Sequence, residues 1–373
     1  MSPGNFDEEM APNRGVHINV GSGNQNNNCG SGKQFVVGVM NMSSEQRDSL
    51  LCDLSTTDPG DDKKRIVRTK GGLIPGLNNW FFDHEEYNRW HRKPEKRLLW
   101  ITGSPGKGKT MLICDVIEEL EKQNYEPVYF FCEAGDTRLN MANAVLRGLL
   151  YSFLSRNPSC ISQIQEKYER RGKVVFEDTN SWDVLTGMIK DIISSGAMSK
   201  AVIVIDALDE CVEELGKLLD LLIDISATCK AIVSSRSCLH IKDSLATACD
   251  KITISLENNE PAVSGAVRSF IDRKVSELAA SKGYDDTKHA EIFTYLNANA
   301  NNTFLWVSLV CQQLKNSVPF RHTIASLKEF HSGLDSIYDR MCSRVIQLSG
   351  ESLCAKLLAT ICILRERLVW KQW

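Results

Sequence analysis

The sequence predicts an α/β protein in which a parallel sheet carries helices on both faces and an all-α region follows. The main observation is that short apolar runs alternate with amphipathic helical patterns between residues 97 and 256. One run, 201–205, is entirely apolar and mostly β-branched, as is typical of a buried central strand in a parallel sheet. After residue 257 only helical patterns remain, so we expect the sheet to end there.

The α/β part divides into elements along the chain. The predicted strands cover 98–102, 128–132, 201–205 and 230–234, with a candidate edge strand at 251–254. The predicted helices cover 109–123, 139–156 and 181–194, and Ser181 is a candidate N-cap for the last of them. Together these elements predict a core domain at 97–256 and a helical domain at 257–330.

Two segments precede the core domain. Residues 1–40 are polar and are predicted to be disordered. Residues 41–96 are predicted to be a linker and a helical lead-in. They contain the brief amphipathic stretch SEQRDSLLCDL, then a charged linker, TTDPGDDKKR, and then an aromatic-rich part at 72–95. This last part predicts a helical collar that packs on the core domain.

Composition sets limits on partners and location. The chain has 373 residues and a net charge of −3, so its overall charge does not point to nucleic acid or an anionic membrane. No apolar run approaches the roughly 20 residues that span a bilayer, and the acidic N-terminus MSPGNFDEEM does not resemble a secretory signal. The thirteen cysteines lack a C-x-x-C pair and are predicted to be reduced and mostly buried. We therefore expect a cytoplasmic protein that neither inserts directly into membranes nor binds nucleic acid.

A phosphate-binding loop is the strongest motif. It follows the pattern G-x-x-x-x-G-K-[ST], lies between a predicted strand and a predicted helix, and consists of Gly103, Ser104, Pro105, Gly106, Lys107, Gly108, Lys109 and Thr110. Glycines allow the backbone N–H groups to point at phosphate oxygens, and the helix N-terminus adds its positive dipole end. Lys109 is expected to reach the β- and γ-phosphates, and Thr110 to bind Mg²⁺.

A carboxylate cluster follows the central strand. Asp206 comes directly after the apolar run 201–205, at the end of a strand where open α/β sheets bind ligands. We expect Asp206 to hold Mg²⁺, directly or through water. Asp209 or Glu210 is a candidate for orienting the attacking water, although Glu210 also fits a solvated carboxylate at a helix start.

A third candidate residue follows the strand 230–234. Arg236 closes the sequence Ile-Val-Ser-Ser-Arg, and an arginine beside the phosphates can sense the γ-phosphate or stabilise the charge that develops during transfer. The alternative is an arginine exposed on the surface, which is the commoner environment for this residue.

The segment 18–37 is rich in Gly, Asn and Gln and contains a repeat, with GSGNQ at 21–25 returning as GSGKQ at 30–34. Identical segments of this composition can stack into hydrogen-bonded ladders. The alternative is a flexible tether, which composition alone favours.

With these residues in view, the chain resembles the NACHT branch of the STAND NTPases, and most of all the fungal NACHT proteins linked to heterokaryon incompatibility. The similar segments are DDKKRIVRTKGGL at 61–73, LLWITGSPGKGKTML at 98–112, YFFCEA at 129–134, NAVLRGLLY at 143–151, VIVIDALDEC at 202–211, IVSSR at 232–236, ENN at 257–259, TFLWVSLV at 303–310 and GLDSIYDRM at 333–341. They cover most of residues 50–342. The resemblance also identifies 331–373 as part of a winged-helix region, and it likens GNQNNNCGSGKQF to the amyloid-forming "sigma" motif of some family members.

The resemblance implies a signalling switch controlled by ATP or GTP with Mg²⁺. Such a protein would oligomerise on activation, hydrolyse nucleotide slowly if at all, and template an effector protein that carries a similar amyloid motif in programmed cell death or non-self recognition. Two other functions stay open at this stage. One is a conventional P-loop enzyme, and the other is a module that holds nucleotide without turnover.

Overall fold

The computed structural model describes residues 43–95, 97–248 and 250–316, together with residues 327, 332–335, 338–339, 342–343, 346, 356 and 360. The segment 18–37, with its predicted disorder and its proposed amyloid motif, lies outside the described residues, as does most of the predicted winged-helix region 331–373. Within the described part of the chain, no helix is both long and apolar enough to cross a bilayer.

Five parallel strands form the central sheet, which confirms the predicted fold class. They are β1 (Leu98–Thr102), β2 (Glu126–Phe131), β3 (Ala201–Asp206), β4 (Lys230–Ser235) and β5 (Lys251–Ser255). Their order across the sheet is β2-β3-β4-β1-β5, and every neighbouring pair is parallel. The strand β1 therefore lies inside the sheet, and β5 is an edge strand, as the sequence predicted.

Helices surround this sheet and continue after it. Before β1 lie α1 (Ser44–Leu54), α2 (Pro59–Thr69), α3 (Asn79–Phe82) and α4 (Glu85–Arg92). Between the strands lie α5 (Lys109–Lys122), α6 (Ala142–Arg156), α7 (Ser162–Arg171), α8 (Ser181–Ser194), α9 (Leu215–Ile225) and α10 (Leu239–Ala246). After β5 lie α11 (Glu260–Lys282), α12 (Asp286–Asn299) and α13 (Phe304–Asn316). The last three form the helical region that the sequence predicted.

Alternate residues of each strand point to opposite faces of the sheet, and this divides the core in two. On the first face, Trp100, Phe130 and Ile203 pack against α1, α6, α8 and α9. On the second face, Ile101 and Val204 join a cluster with α2, α4, α5 and the helical region. The continuous apolar runs that predicted the strands therefore reflect burial on both faces.

Two predictions about local structure are wrong. The predicted charged linker is the helix α2, because Asp58 accepts hydrogen bonds from the N–H groups of Gly60 (2.7 Å) and Asp61 (3.4 Å), and Pro59 occupies the first turn. Ser181 is not the N-cap: it is the first residue of α8, Asn180 holds the N-cap position, and Ser181 Oγ accepts a hydrogen bond from Asn143 at 2.9 Å.

The predicted aromatic collar is the pair α3 and α4. Phe81, Tyr87 and Trp90 are buried there, with ring centroids 5.0 Å apart for Phe81 and Tyr87 and 5.8 Å apart for Tyr87 and Trp90. The collar is fixed to the sheet by Lys230 at the start of β4. Its ammonium lies 4.7 Å from the centroid of the Trp90 ring and donates hydrogen bonds to the carbonyl oxygens of Trp90 and His91.

Candidate nucleotide-binding site

The phosphate loop connects the carboxyl end of β1 to the N-terminus of α5. Gly106 and Gly108 have φ angles of 77° and 88°, which favour glycine. A Cβ atom at Gly106 would lie only 2.7 Å from Thr303 Cγ2, and one at Gly108 would lie 3.0 Å from Phe304 Cδ2. Both glycines are thus required by backbone conformation and by the close approach of another segment.

Lys109 is the first residue of α5 and lies beside the loop's own carbonyl groups. Its Nζ donates hydrogen bonds to Gly103 O at 2.5 Å and Ser104 O at 3.1 Å. Burial lowers its pKa, and the carboxylates of Asp209 and Asp206 oppose that shift. Among the described residues, no carboxylate lies within hydrogen-bonding distance of this ammonium group. The group can therefore bind an anionic ligand.

Asp206 ends β3 and is only 2% exposed. Its Oδ1 accepts a hydrogen bond from Ser234 Oγ, and the side chain of Thr110 lies beside its carboxylate. Burial raises the pKa of Asp206, while Ser234, Thr110 and nearby lysine charges oppose the shift. The two residues predicted to hold Mg²⁺ are thus adjacent.

The backbone after β3 is held in an unusual conformation. Ala207 has a φ of 55°, and its N–H donates to Ser234 Oγ at 3.0 Å. Ser234 therefore bridges Asp206 and the turn that follows it. Strained backbone of this kind persists where neighbouring contacts hold it, and it is common at functional sites.

Asp209 and Arg236 meet at the carboxyl edge of the sheet. Asp209 Oδ1 accepts the backbone N–H of Arg236 at 2.9 Å, and its Oδ2 lies 3.0 Å from Arg236 Nε. Glu210 points elsewhere, since its Oε2 accepts the N–H of Ala134 at 3.0 Å. The structure therefore pairs two of the three candidate catalytic residues and directs Glu210 to the loop after β2. Their catalytic roles stay predictions.

The segment 301–305, which runs from the loop after α12 into the first turn of α13, lies directly on the phosphate loop. Lys107 Nζ donates to Asn301 O at 3.1 Å, and Leu305 N donates to Gly106 O at 3.3 Å. The sequence carried a signal for this contact, because part of the segment belongs to the family-like stretch TFLWVSLV, but no site role was assigned to it.

Glu257 is a second residue for which the sequence predicted no site role. It follows Leu256, the first residue after β5. Its Oε1 accepts the N–H of Ser104 at 2.5 Å, and its Oε2 accepts the hydroxyl of Ser255 at 3.1 Å. Burial acts to raise the pKa of Glu257, but the hydrogen bonds from Ser104 and Ser255 outweigh it and leave the pKa lowered. Glu257 is therefore ionised at neutral pH and fixes the start of the phosphate loop.

A cavity of about 790 Å³ on the second face of the sheet is lined by Lys109, Thr110, Asp206, Asp209, Glu210 and Arg236 among others. Its walls are the phosphate loop, the 69–80 part of the lead-in, and α11 and α13. A volume in this range suits a small organic ligand, since ligand pockets are typically about 300–1,000 Å³. The sequence did not predict that the lead-in would form one of the walls.

The residues present fit a magnesium nucleotide. The cavity contains a glycine-rich loop at a helix N-terminus, a lysine without a carboxylate partner, and a hydroxyl beside a buried carboxylate. Among the described residues, no group of three or more His, Cys, Asp or Glu side chains could hold a metal ion. A Mg²⁺ site built from Thr110, Asp206 and phosphate oxygens does not need such a group.

Two solved structures are weakly similar to this chain. The alignment with the replication initiator DnaA, bound to AMPPCP and single-stranded DNA, covers 69% of this chain and 67% of the DnaA chain, with 15% identity and a TM-score of 0.37. The alignment with PCH-2 of C. elegans covers 79% of this chain and 72% of the PCH-2 chain, with 14% identity and a TM-score of 0.38. Because both scores lie below 0.5, these likenesses add nothing to the fold described above.

Sequence comparisons are more specific. The family model "Nephrocystin 3, N-terminal" matches residues 76–236, which run from the lead-in to Arg236. The vegetative incompatibility protein HET-E-1 of Podospora anserina is 41% identical over 343 residues, which are 90% of this chain. The chain spans about a quarter of that relative, the matched share being 25%. Over most of its length the chain is therefore similar to a fungal vegetative incompatibility protein, which confirms the resemblance that its motifs predicted.

Proposed function

We propose that the chain binds a nucleoside triphosphate with Mg²⁺ in the cavity of the second face and acts as a nucleotide-controlled signalling switch. The observation that carries the proposal is the contact between the phosphate loop and the segment 301–305. The loop that would bind phosphate is the same loop that Asn301 and Leu305 contact. A ligand shifts a conformational equilibrium only when it interacts differently with the two states, and this shared loop supplies such a difference.

The proposed contacts use this chain's own groups. The N–H groups of the phosphate loop and the ammonium of Lys109 bind the phosphates, which requires Lys109 to leave the carbonyl oxygens of Gly103 and Ser104. Thr110 and Asp206 hold Mg²⁺, which supplies charge neutralisation at the phosphates. The first measurement is whether the wild type binds adenine or guanine nucleotides.

Hydrolysis in this proposal is slow. Asp209 is already paired with Arg236, and Glu210 is already bonded to the N–H of Ala134, so either carboxylate must change partners before it can orient a water molecule. Replacing both by Asn and Gln is expected to preserve nucleotide binding and to remove residual hydrolysis. Equal hydrolysis by the double variant and the wild type would assign both residues to structure alone.

Nucleotide binding is tested by calorimetry with Mg²⁺ and four probes: ADP, AMPPCP, GDP and GMPPCP. Lys109→Ala is expected to abolish binding of every probe that the wild type binds. Lys122→Ala, in the same helix but with a side chain that is 67% exposed and paired with Glu119, serves as the matched control and is expected to bind normally. Unchanged affinity in Lys109→Ala would reject the site.

The output of the switch is proposed to be self-association that brings the 18–37 segments of several copies together and templates an effector protein bearing a similar repeat. The support is the repeated GSG-x-Q unit in a stretch whose only charged residue is Lys33. A peptide of residues 15–40 is expected to form fibres with a strand repeat of about 4.7 Å. Gln25→Pro is expected to block assembly. A wild-type peptide that stays monomeric at high concentration would reduce the segment to a tether.

A further inference from the structure

The helix α2 runs antiparallel to α5 and points its C-terminus at the phosphate loop. Lys63 Nζ in α2 lies 3.5 Å from Glu118 Oε1 in α5. Lys70 follows Lys63 by seven residues, which is about 10 Å of helix, and Thr110 precedes Glu118 by eight, which is about 12 Å. Lys70 and Thr110 therefore lie at matching heights, and both line the cavity.

The position of α2 is fixed from its other side as well. Tyr151 OH donates to Asp58 Oδ2 at 3.0 Å, and Arg65 Nη2 donates to Glu133 Oε2 at 3.0 Å. These contacts connect the N-cap and the middle of the helix to the α/β core. The helix α2 is thus held against the core.

Two glycines end α2 directly after Lys70. Gly71 and Gly72 have φ angles of 92° and 87°, and the Gly72 N–H donates to Val67 O at 2.8 Å. A Cβ atom at Gly71 would lie 3.0 Å from Lys274 Nζ, so the turn also passes close to α11. This termination fixes the backbone of Lys70 at the edge of the cavity.

Lys70 differs from Lys107, Lys109 and Lys274 in having no partner among the described residues. Its ammonium forms no hydrogen bond or ion pair with the described residues, whereas Lys107 bonds Asn301 O, Lys109 bonds its own loop, and Lys274 pairs with Glu277. Lys315 also lines the cavity without a partner among the residues that the structure describes. It lies eleven residues into α13 from Phe304, about 16 Å from the end of that helix that contacts the loop.

Lys70 shares the cavity with the magnesium side of the candidate site. Thr110 and Asp206, the two residues proposed to hold Mg²⁺, line the same cavity as Lys70. Phosphate oxygens bound beside them would be attracted by the charge of Lys70.

We propose that Lys70 is a further phosphate-binding residue, which contacts the terminal phosphates of a bound nucleoside triphosphate from the side opposite the phosphate loop. This inference rests on the proposed nucleotide binding. It gives the lead-in a role in telling triphosphate from diphosphate, because in this proposal the lysine at the end of α2 contacts the terminal phosphate, which a diphosphate lacks. A diphosphate, bound by Lys109 and the loop N–H groups, would lose little without it.

The test is calorimetry of the full chain with Mg²⁺, using ADP and AMPPCP or, if the wild type prefers guanine, GDP and GMPPCP. Lys70→Gln is expected to weaken binding of the triphosphate analogue by about 10-fold or more, as for one lost charge-assisted hydrogen bond. Binding of the diphosphate is expected to change by less than about 3-fold. Lys70→Arg, which keeps the charge, is expected to retain the preference for triphosphate.

Two control variants separate position from charge. Lys315→Gln removes an unpartnered cation from the same cavity. Lys64→Gln removes a cation that pairs with Asp61 on the outer side of α2, where the lysine side chain is 80% exposed. Both are expected to leave the triphosphate preference unchanged. Equal losses in Lys70→Gln and Lys315→Gln, or an unchanged triphosphate affinity in Lys70→Gln, would overturn the inference while nucleotide binding stands. A wild type that binds none of the probes would overturn both.

Discussion

The two faces of the sheet are built from alternate residues of the same strands, yet they are packed differently. On the first face, α6 lies so close to β2 that a Cβ atom at Gly148 would be 2.3 Å from Phe130 Cδ2. On the second face, the helices leave a cavity of about 790 Å³ between the phosphate loop, the lead-in and the helical region. The first face is a continuous apolar core, and the second holds the polar residues of the candidate site.

Because of this difference, we expect the first face to contribute mainly to folding stability and the second face mainly to ligand binding. Close packing on the first face buries a large apolar surface, which is the main stabilising contribution in a domain. The second face contains a buried carboxylate, a strained turn and a cavity, each of which costs stability in the absence of a ligand. We expect substitutions on the first face to act on folding, and those on the second to act on ligand binding and its coupling to the helical region.

The largest expected effect is on the first face. Phe130→Ala removes a buried ring beneath α6 and is expected to lower the free energy of unfolding by about 3–5 kcal/mol, as measured by urea denaturation. Met111→Ala, a partly buried residue that lines the cavity, is the matched change on the second face and should cost much less. Equal losses for the two variants would mean that the faces do not differ in packing.

A smaller effect is expected where the helical region meets the phosphate loop. Phe304 packs on Gly108 and lies 5.3 Å from the ring of Phe270 in an edge-to-face arrangement. Phe304→Ala should lower stability by about 1–3 kcal/mol and should also change nucleotide affinity, because the loop loses a contact. Phe293→Ala, in α12, removes an aromatic ring from the helical region and should affect stability alone. Equal effects of the two variants on affinity would break the proposed coupling.

A gain in stability is expected at Asp206. Because burial raises its pKa, folding takes up a proton between pH 3.8 and the raised value, and stability falls as the pH rises through that interval. Asp206→Asn should therefore stabilise the nucleotide-free protein at neutral pH by about 1 kcal/mol, while it weakens Mg²⁺-dependent binding. The gain should vanish below pH 3.8, where the wild-type carboxyl is protonated in both states. A loss of thermal stability at pH 7 would contradict this account.

The smallest effect is expected from ion pairs on the surface of the first face. Lys167 Nζ lies 3.1 Å from Asp191 Oδ2 between α7 and α8, and the side chains are 43% and 60% exposed. Lys167→Ala should change the free energy of unfolding by less than about 1 kcal/mol. A larger loss in denaturant titrations would show that this face depends on charge as well as on apolar packing.

The sheet and the phosphate loop were predictable from sequence because their signals are local. Apolar runs buried on both faces are distinctive, and the loop motif requires only neighbouring residues. The helix α2 was missed because its charged residues looked like a linker. Its start was nevertheless readable, since Asp58 followed by Pro59 is a standard helix beginning and acidic residues fill the first turn.

The contacts between distant segments were not predictable in the same way. Neither the approach of 301–305 to the phosphate loop nor the bond from Ser104 to Glu257 has a local pattern, because both depend on how the helical region and β5 pack against β1. Likewise, the pairing of Asp209 with Arg236 depends on the neighbouring positions of β3 and β4 in the sheet. Sequence could name Asp209 and Arg236 as candidates, but it could not pair them, and it gave no site role to Glu257 or to the segment 301–305.

The central claim is that nucleotide in the second-face cavity acts on the helical region through the phosphate loop. Amide hydrogen exchange of the full chain, with and without the nucleotide that it binds, tests this most directly. We predict changed exchange in the segment 301–305 and in α13, unchanged exchange in α8 on the first face, and no nucleotide effect in Lys109→Ala. Nucleotide binding that alters exchange in the phosphate loop but leaves 301–305 and α13 unchanged would contradict the account.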